Sequence, residues 1–158
     1  THKAQAEGYH PEMILAGRRL NNEMPVYVVS QLVKKMLSKK IQVNGAKVLV
    51  MGLTFKENCP DIRNTKVLDV IKELKQYKMD LDVLDPWCNP EEAAHRHDIE
   101  VIQADEVENN TYDAILLTVN HQEFSQLGIN NIRSFGKTNH VLYDLKYVFN
   151  KGDVDLRL

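Results

Sequence analysis

From Gly45 onward the chain alternates short, nearly continuous apolar runs with amphipathic helical stretches, and this alternation limits the fold more than any other feature. Residues 46–53, 81–84, 99–102, 114–119 and 141–145 read as strands, several of them apolar enough to be buried on both faces. Between them, residues 65–77 place Val67, Val70, Ile71 and Leu74 on one helical face, with Asn64 or Thr65 as the expected N-cap. Residues 90–97 form a short helix opened by Asn89-Pro90, and 123–127 and 129–135 are short helical pieces. Strands and helices alternating at this spacing predict an α/β fold, a Rossmann-like doubly wound parallel sheet. Sheets of that kind bind ligands beyond the carboxyl ends of their strands, where the strand order switches. The residues of interest therefore lie in 54–63, 85–89, 120–123 and 144–147.

An N-terminal helical arm precedes the sheet. Met13, Ile14, Leu20, Met24, Val28, Leu32 and Met36 recur at helical spacings between residues 11 and 40, with Arg18, Arg19, Lys34 and Lys35 among them. Pro25 removes a backbone donor, which predicts one bent helix or two in tandem, with Asn21 or Asn22 capping the second piece. Such an arm has too little chain to bury its own apolar face. It must pack on the domain behind it, on a domain outside this sequence, or on a second subunit. The pattern changes near Val43-Asn44-Gly45, so the expected division is a helical segment, 1–42, and an α/β domain, 43–158.

Composition excludes several classes. The 158 residues suffice for one globular domain with an appendage, and the net charge of −2 offers no basic face for nucleic acid. No apolar run approaches the roughly 20 residues that cross a bilayer, and the first residues have no apolar signal-peptide core. The chain begins with Thr1 rather than Met, which points to excision from a longer protein. Cys59 and Cys88 make no disulfide framework, and a reducing, cytoplasmic setting is expected.

The loop after the first strand carries the chemistry. It reads Gly52-Leu53-Thr54-Phe55-Lys56-Glu57-Asn58-Cys59-Pro60-Asp61-Ile62-Arg63. A dinucleotide-binding turn would show three glycines and enter its helix at once, and this loop does neither. Lys56 instead offers a point charge to a phosphate, and Arg63 a planar fork just ahead of a helix N-terminus. Asp61 can orient either cation, and Phe55 can offer its face to a base or sugar. The alternative is that Lys56 and Arg63 are solvated surface charges. Lys146 follows the last strand in Asp144-Leu145-Lys146 and would face the same crevice, or be an ordinary surface lysine. His121 is either a ligand-contacting or acid–base group, or a capping or surface histidine. Cys88, His95 and His97 fit no standard zinc spacing. Cys59 has no recognisable base beside it and reads as a small buried thiol.

These motifs occur together elsewhere. The loop Gly52-Leu53-x-Phe55-Lys56-(x)4-Asp61-x-Arg63, the segment Val83-Leu84-Asp85-Pro86 and the closing Asp144-x-Lys146 resemble the C-terminal domain of the UDP-glucose/GDP-mannose dehydrogenase family. Tyr9-His10-Pro11-Glu12-(x)3-Ala16-Gly17-Arg18-Arg19-Leu20-Asn21-Asn22 resembles the central helix of the subgroup acting on UDP-N-acetylhexosamines. The resemblance covers nearly the whole chain. It implies an NAD-dependent UDP-sugar 6-dehydrogenase, which oxidises the C6 alcohol to a uronic acid by two hydride transfers through a cysteine thiohemiacetal and thioester, in polysaccharide biosynthesis. In that family the NAD domain and the catalytic cysteine lie upstream of the segment matching Thr1-His2-Lys3-Ala4.

The resemblance therefore implies no catalytic role for Cys59 or Cys88 and no dehydrogenase activity for this chain alone; the cysteine and histidine spacing itself gives no reason to expect a metal. It implies that Phe55 and Lys56 contact the UDP portion of the substrate, that Asp61 organises the loop, and that Arg63 reaches the NAD pyrophosphate across a domain interface. Lys146 stands where relatives often carry Arg, also on the UDP side, keeping the charge without the fork. Arg18 or Arg19 matches a helix whose basic residues approach substrate, and the helical arm matches the segment through which family homodimers pack. Besides UDP-N-acetylglucosamine and UDP-N-acetylmannosamine, UDP-glucose is an alternative substrate. A flavodoxin-like or receiver-like module and a plain dimerisation domain are the non-enzymatic alternatives. The cationic loop argues against phospho-acceptance.

Overall fold

The structure is a computed structural model and describes residues 12–158. Tyr9, His10 and Pro11 of the head motif lie outside the described residues. Strands β1 (Lys47–Met51), β2 (Asp80–Leu84), β3 (Val101–Ile102), β4 (Tyr112–Leu117), β5 (Gly136–Asp144) and β6 (Leu156–Arg157) form one six-stranded sheet in the order β3-β2-β1-β4-β5-β6. Every pairing is parallel. The order reverses between β1 and β4, so the switch point lies at the carboxyl ends of those two strands. The Rossmann-like fold expected from the apolar alternation is the fold observed.

Side chains along each central strand alternate between two cores. Val48, Val50, Ala114, Leu116, Val141 and Tyr143 face one side, against Val70, Ile71 and Leu74 of helix α2 (Val67–Gln76). Leu49, Met51, Ile115, Leu117 and Leu142 face the other. Phe124 of α4 (Gln122–Leu127) and Ile132 of α5 (Ile129–Phe135) cover that side. Burial on both faces is why these strands read as continuous apolar runs. Right-handed crossovers place the helices after β1 and after β4 on opposite faces, which leaves the α2 face open over β5. Helix α1 (Glu12–Ser38) fills that gap, touching both α2 and β5. Val28, Val29, Leu32 and Met36 enter the core, and burying each such side chain contributes roughly 2 kcal/mol. The carboxyl half of α1 is thus part of the domain's core. Its amino half is not: Met13 is 90% exposed, and Ile14 and Leu20 are also exposed.

Local differences from the expected elements have physical causes. Helix α1 runs unbroken past Pro25, whose ring is buried, so no second cap forms at Asn21 or Asn22. The Asn22 side chain instead accepts from Lys66 Nζ at 3.0 Å. Helix α2 starts at Val67 behind Lys66, not behind Asn64 or Thr65. Asn64 is left-handed at φ 58°, and the Thr65 hydroxyl accepts from the Val67 amide at 3.3 Å in a local turn that delays the helix. Helix α3 (Pro90–His97) opens as predicted, with Asn89 Oδ1 accepting from the Glu91 and Glu92 amides. Strand β5 begins at Gly136, ahead of the predicted 141, with a register irregularity before Val141. Its first part carries exposed Lys137, Thr138 and Asn139 and so sends no apolar signal. The two-residue edge strand β6 was not expected.

Candidate functional site at the sheet switch point

The site begins at the end of β1. Gly52 has φ +105°, and a Cβ there would lie 2.5 Å from Val119 Cβ. Only glycine lets the chain leave β1 this close to the end of β4. Thr118 binds the two ends together, its amide and hydroxyl donating to Met51 O at 3.0 and 2.9 Å. The 52–63 loop starts from this fixed point.

Asp85, just beyond β2, holds the first turn of the loop. Its Oδ2 accepts from the Leu53 amide at 2.6 Å and the Thr54 amide at 2.9 Å. Its Oδ1 accepts from the amides of Trp87 at 2.8 Å and Cys88 at 2.9 Å. His121 Nε2 lies 3.1 Å from Asp85 Oδ2 and 3.0 Å from Thr54 Oγ1. Burial pushes the Asp85 carboxyl upward, but His121 and the Leu53 and Thr54 amides outweigh it and hold the group at about 2. It is a buried carboxylate stabilised by converging donors.

His121 is fully buried, which corrects the surface-histidine reading; it occupies the N-cap position of α4 without a side-chain capping bond. Its Nδ1 accepts from the Asn58 amide at 3.0 Å. The Asn58 side chain returns the contact, accepting from the Gln122 amide at 3.0 Å. The loop is therefore held at its first turn and again at Asn58, which sits at φ 52°. Its neck is closed by the Phe55 amide donating to Asp61 O at 2.7 Å.

Phe55 and Lys56 project from this clamped segment, and both are exposed, Phe55 by 59%. Arg63 is exposed but not loose. Its Nε and Nη2 each reach an Asp61 oxygen at 3.0 Å, and its amide donates to Asp61 Oδ1 at 2.8 Å. The Arg63 guanidinium beside Asp61 holds that carboxyl at about 2. Of the two cations open to it, Asp61 thus orients Arg63. A cavity of about 160 Å³ beside the loop is lined by Thr54, Phe55, Lys66 and Lys146 together with Met24 and Pro25 of α1. Lys146 is exposed, and its amide donates to the buried Asp144 carboxylate at 3.0 Å. The structure therefore brings Phe55 and Lys146 to one cavity and pairs Asp61 with Arg63. Arg18 and Arg19 lie on the exposed amino half of α1 and do not line that cavity.

The cysteines are both free. Cys88 is buried, and burial with the neighbouring Asp85 charge pushes its thiol up to about 12, far from a thiolate nucleophile. Cys59 is half-buried rather than buried. Among the described residues, no group of His, Cys, Asp and Glu side chains is placed to hold a metal.

Sequence reasoning placed Thr54, Asn58 and Asp85 in the segments of interest without giving any of them a role, and did not anticipate Lys66. The usable signal was positional. Asp85 and His121 each follow a strand flanking β1, so the doubly wound order brings them together across the switch point.

A sequence model of the UDP-glucose/GDP-mannose dehydrogenase family, UDP binding domain, matches residues 49–151. The whole chain is 57% identical to the UDP-N-acetyl-D-glucosamine 6-dehydrogenase of Pseudomonas aeruginosa and 54% identical to that of Salmonella typhi. It spans 37% of the length of each. Among solved structures, a UDP-glucose dehydrogenase from Pyrobaculum islandicum shares the fold with a TM-score of 0.78 at 20% identity, over 99% of this chain and 34% of that one. The native structure of the UDP-N-acetyl-mannosamine dehydrogenase Cap5O from Staphylococcus aureus gives 0.69 at 25% identity, over 93% of this chain and 33% of that one. A family match over most of the α/β domain, with identity above one half along the full chain, makes this protein a member of the UDP-glucose/GDP-mannose dehydrogenase family.

Proposed function

We propose that the chain is the nucleotide-sugar-binding part of an NAD-dependent UDP-N-acetylhexosamine 6-dehydrogenase, with UDP-N-acetylglucosamine the preferred substrate. The observation that carries this is the placement of Lys56. It is exposed on a loop fixed at both ends, at the switch point, and follows Phe55, which with Lys146 lines the cavity; Lys56 itself does not line it. A diphosphate there meets Lys56 and Lys146, and the base or sugar meets Phe55 and the apolar side chains of α1. The identity of the two bacterial relatives supports the N-acetylglucosamine substrate over UDP-glucose.

The turn after β1 does not suit an NAD pyrophosphate, because residues 52–66 separate the strand from helix α2. Arg63 suits it better. Asp61 engages Nε and Nη2, so the fork is oriented while Nη1 stays available to a phosphate of a cofactor held elsewhere. NAD held in that way would supply the hydride acceptor, one molecule for each of the two hydride transfers; the roles assigned to residues of this chain are binding and orientation. We assign ligand binding to residues 43–158 together with Met24 and Pro25 of α1, and dimerisation to the exposed amino half of that helix, within the 1–42 segment, in a cytoplasmic polysaccharide-precursor enzyme. The exposed apolar side chains Met13, Ile14 and Leu20 support the homodimer, and Arg18 and Arg19 would then approach substrate in a neighbouring subunit.

Calorimetric titration of the complete enzyme with UDP tests the reading. Lys56→Ala is expected to weaken UDP about tenfold or more, as loss of a charge-assisted phosphate contact requires. Unchanged UDP affinity would overturn the assignment.

A further inference from the structure

The 52–63 loop has few bonds of its own, yet Lys56 must be held in place for a point charge to discriminate a diphosphate from water. Most of the bonds that hold it come from outside the loop: Asp85 takes the Leu53 and Thr54 amides, the Gln122 amide meets Asn58 Oδ1, and the His121 side chain links the two anchor points. His121 Nδ1 accepts from the Asn58 amide, so the ring proton of the neutral imidazole resides on Nε2. Nε2–H then donates between Asp85 Oδ2 and Thr54 Oγ1, at 3.1 and 3.0 Å. The Thr54 hydroxyl, having accepted, donates onward to the Lys56 carbonyl at 3.2 Å. A continuous relay thus runs from the buried Asp85 carboxylate through His121 and Thr54 to the backbone of Lys56.

We propose that His121 is the positioning residue that sets Phe55 and Lys56 against the UDP diphosphate, with Asp85 fixing its tautomer and Thr54 passing its constraint to the Lys56 backbone. The proposal rests on the UDP-binding reading above. His121 is not a catalytic acid or base in this arrangement. Its side chain has no solvent exposure, and both ring nitrogens are engaged by protein groups. Nor is it only a core filler. It makes an edge contact with Phe124, ring centroids 5.4 Å apart, but every hydrogen bond of its side chain bears on the loop or on the Asp85 carboxylate that holds the loop. Together with the Asp85 bonds they explain why the loop holds its course without regular secondary structure: residues 53, 54 and 58 are anchored from outside, and the Phe55 amide ties to Asp61 O across the neck.

A role in fold stability alone and a role in positioning differ in what they do to substrate kinetics. In the complete enzyme, His121→Leu is expected to raise KM for the UDP-sugar about tenfold and to lower kcat less than threefold, as the loss of a contact to the UDP portion requires. His121→Gln can return an amide donor toward Asp85 and is expected to recover part of that loss. Thr54→Val keeps the volume, removes the hydroxyl, and is expected to weaken UDP about threefold in calorimetry with little change in melting temperature. It serves as the readout if His121→Leu does not fold. KM and UDP affinity equal to wild type in the folded variants would overturn the proposal. Lys56→Ala measured alongside separates the two claims. If it leaves UDP binding intact, the UDP reading has failed; if it weakens UDP while Thr54→Val and His121→Gln behave as wild type, only the positioning proposal has failed.

Discussion

Two carboxylates bracket the 52–63 loop, and both are held at about 2, but they do different work. Asp85 is buried and is held by four amides and an imidazole against the cost of burial. Asp61 is half-exposed and is held by one exposed arginine. At Asp85 the donors come from three separate segments of chain, so losing the carboxylate releases all of them at once. At Asp61 the donor is two residues away on the same loop, and water replaces it readily. Equal acidity therefore conceals unequal structural weight. One carboxylate organises the fold around the site, and the other aims a cation out of it.

The widest separation between the two is expected in stability. Asp85→Ala strands the Leu53, Thr54, Trp87 and Cys88 amides and is expected to cost about 3–5 kcal/mol in urea unfolding. Asp61→Ala is expected to leave the urea midpoint where it is. Comparable losses for the two would mean that Asp61 carries as much of the fold as Asp85. Gly52→Ala comes next. It imposes a Cβ at 2.5 Å from Val119 Cβ on a backbone at φ +105°, and a loss of about 2–4 kcal/mol is expected in the same assay.

Acid titration sharpens the contrast. Asp85 is held at about 2 in the fold, against about 3.9 in an unfolded chain. A depressed carboxylate contributes fully above its unfolded value, so this stabilisation is present above about pH 4 and is lost as pH falls toward 2. It amounts to about 2–3 kcal/mol. The pH dependence of unfolding between 4 and 2 should flatten when Asp85 is replaced and stay nearly as steep when Asp61 is replaced, because the Asp61–Arg63 pair is local and solvent-screened and so differs little between the folded and unfolded chain. The smallest expected effect belongs to Asp61 and appears only in the complete enzyme: Asp61→Ala should raise KM for NAD a few-fold through a disoriented Arg63, with UDP affinity unchanged.

The same contrast explains what could be read from the sequence. Val48, Leu49 and Val50, or Ala114 through Leu117, announced buried strands because both of their faces are covered. The first part of β5 carries exposed polar residues, and β6 is a two-residue edge, so neither gave an apolar signal. At the site, Lys56, Asp61 and Arg63 were legible because their meaning is local: a cation, a carboxylate and a fork within one loop. Asp85 and His121 lie 36 residues apart and meet only because β2 and β4 both flank β1. His121 in isolation reads as a surface or capping residue. Its burial follows from the strand order, and no local pattern encodes that.

The central claim is that the clamped 52–63 loop grips a nucleoside diphosphate. Nitrogen–proton correlation spectra of the chain titrated with UDP test it residue by residue. The account predicts saturable shifts at the amides of residues 54–58 and at Lys146, with little change at Glu91, Arg96 and other α3 amides remote from the switch point. Shifts confined to surfaces away from the 52–63 loop, or none at millimolar UDP, would contradict it.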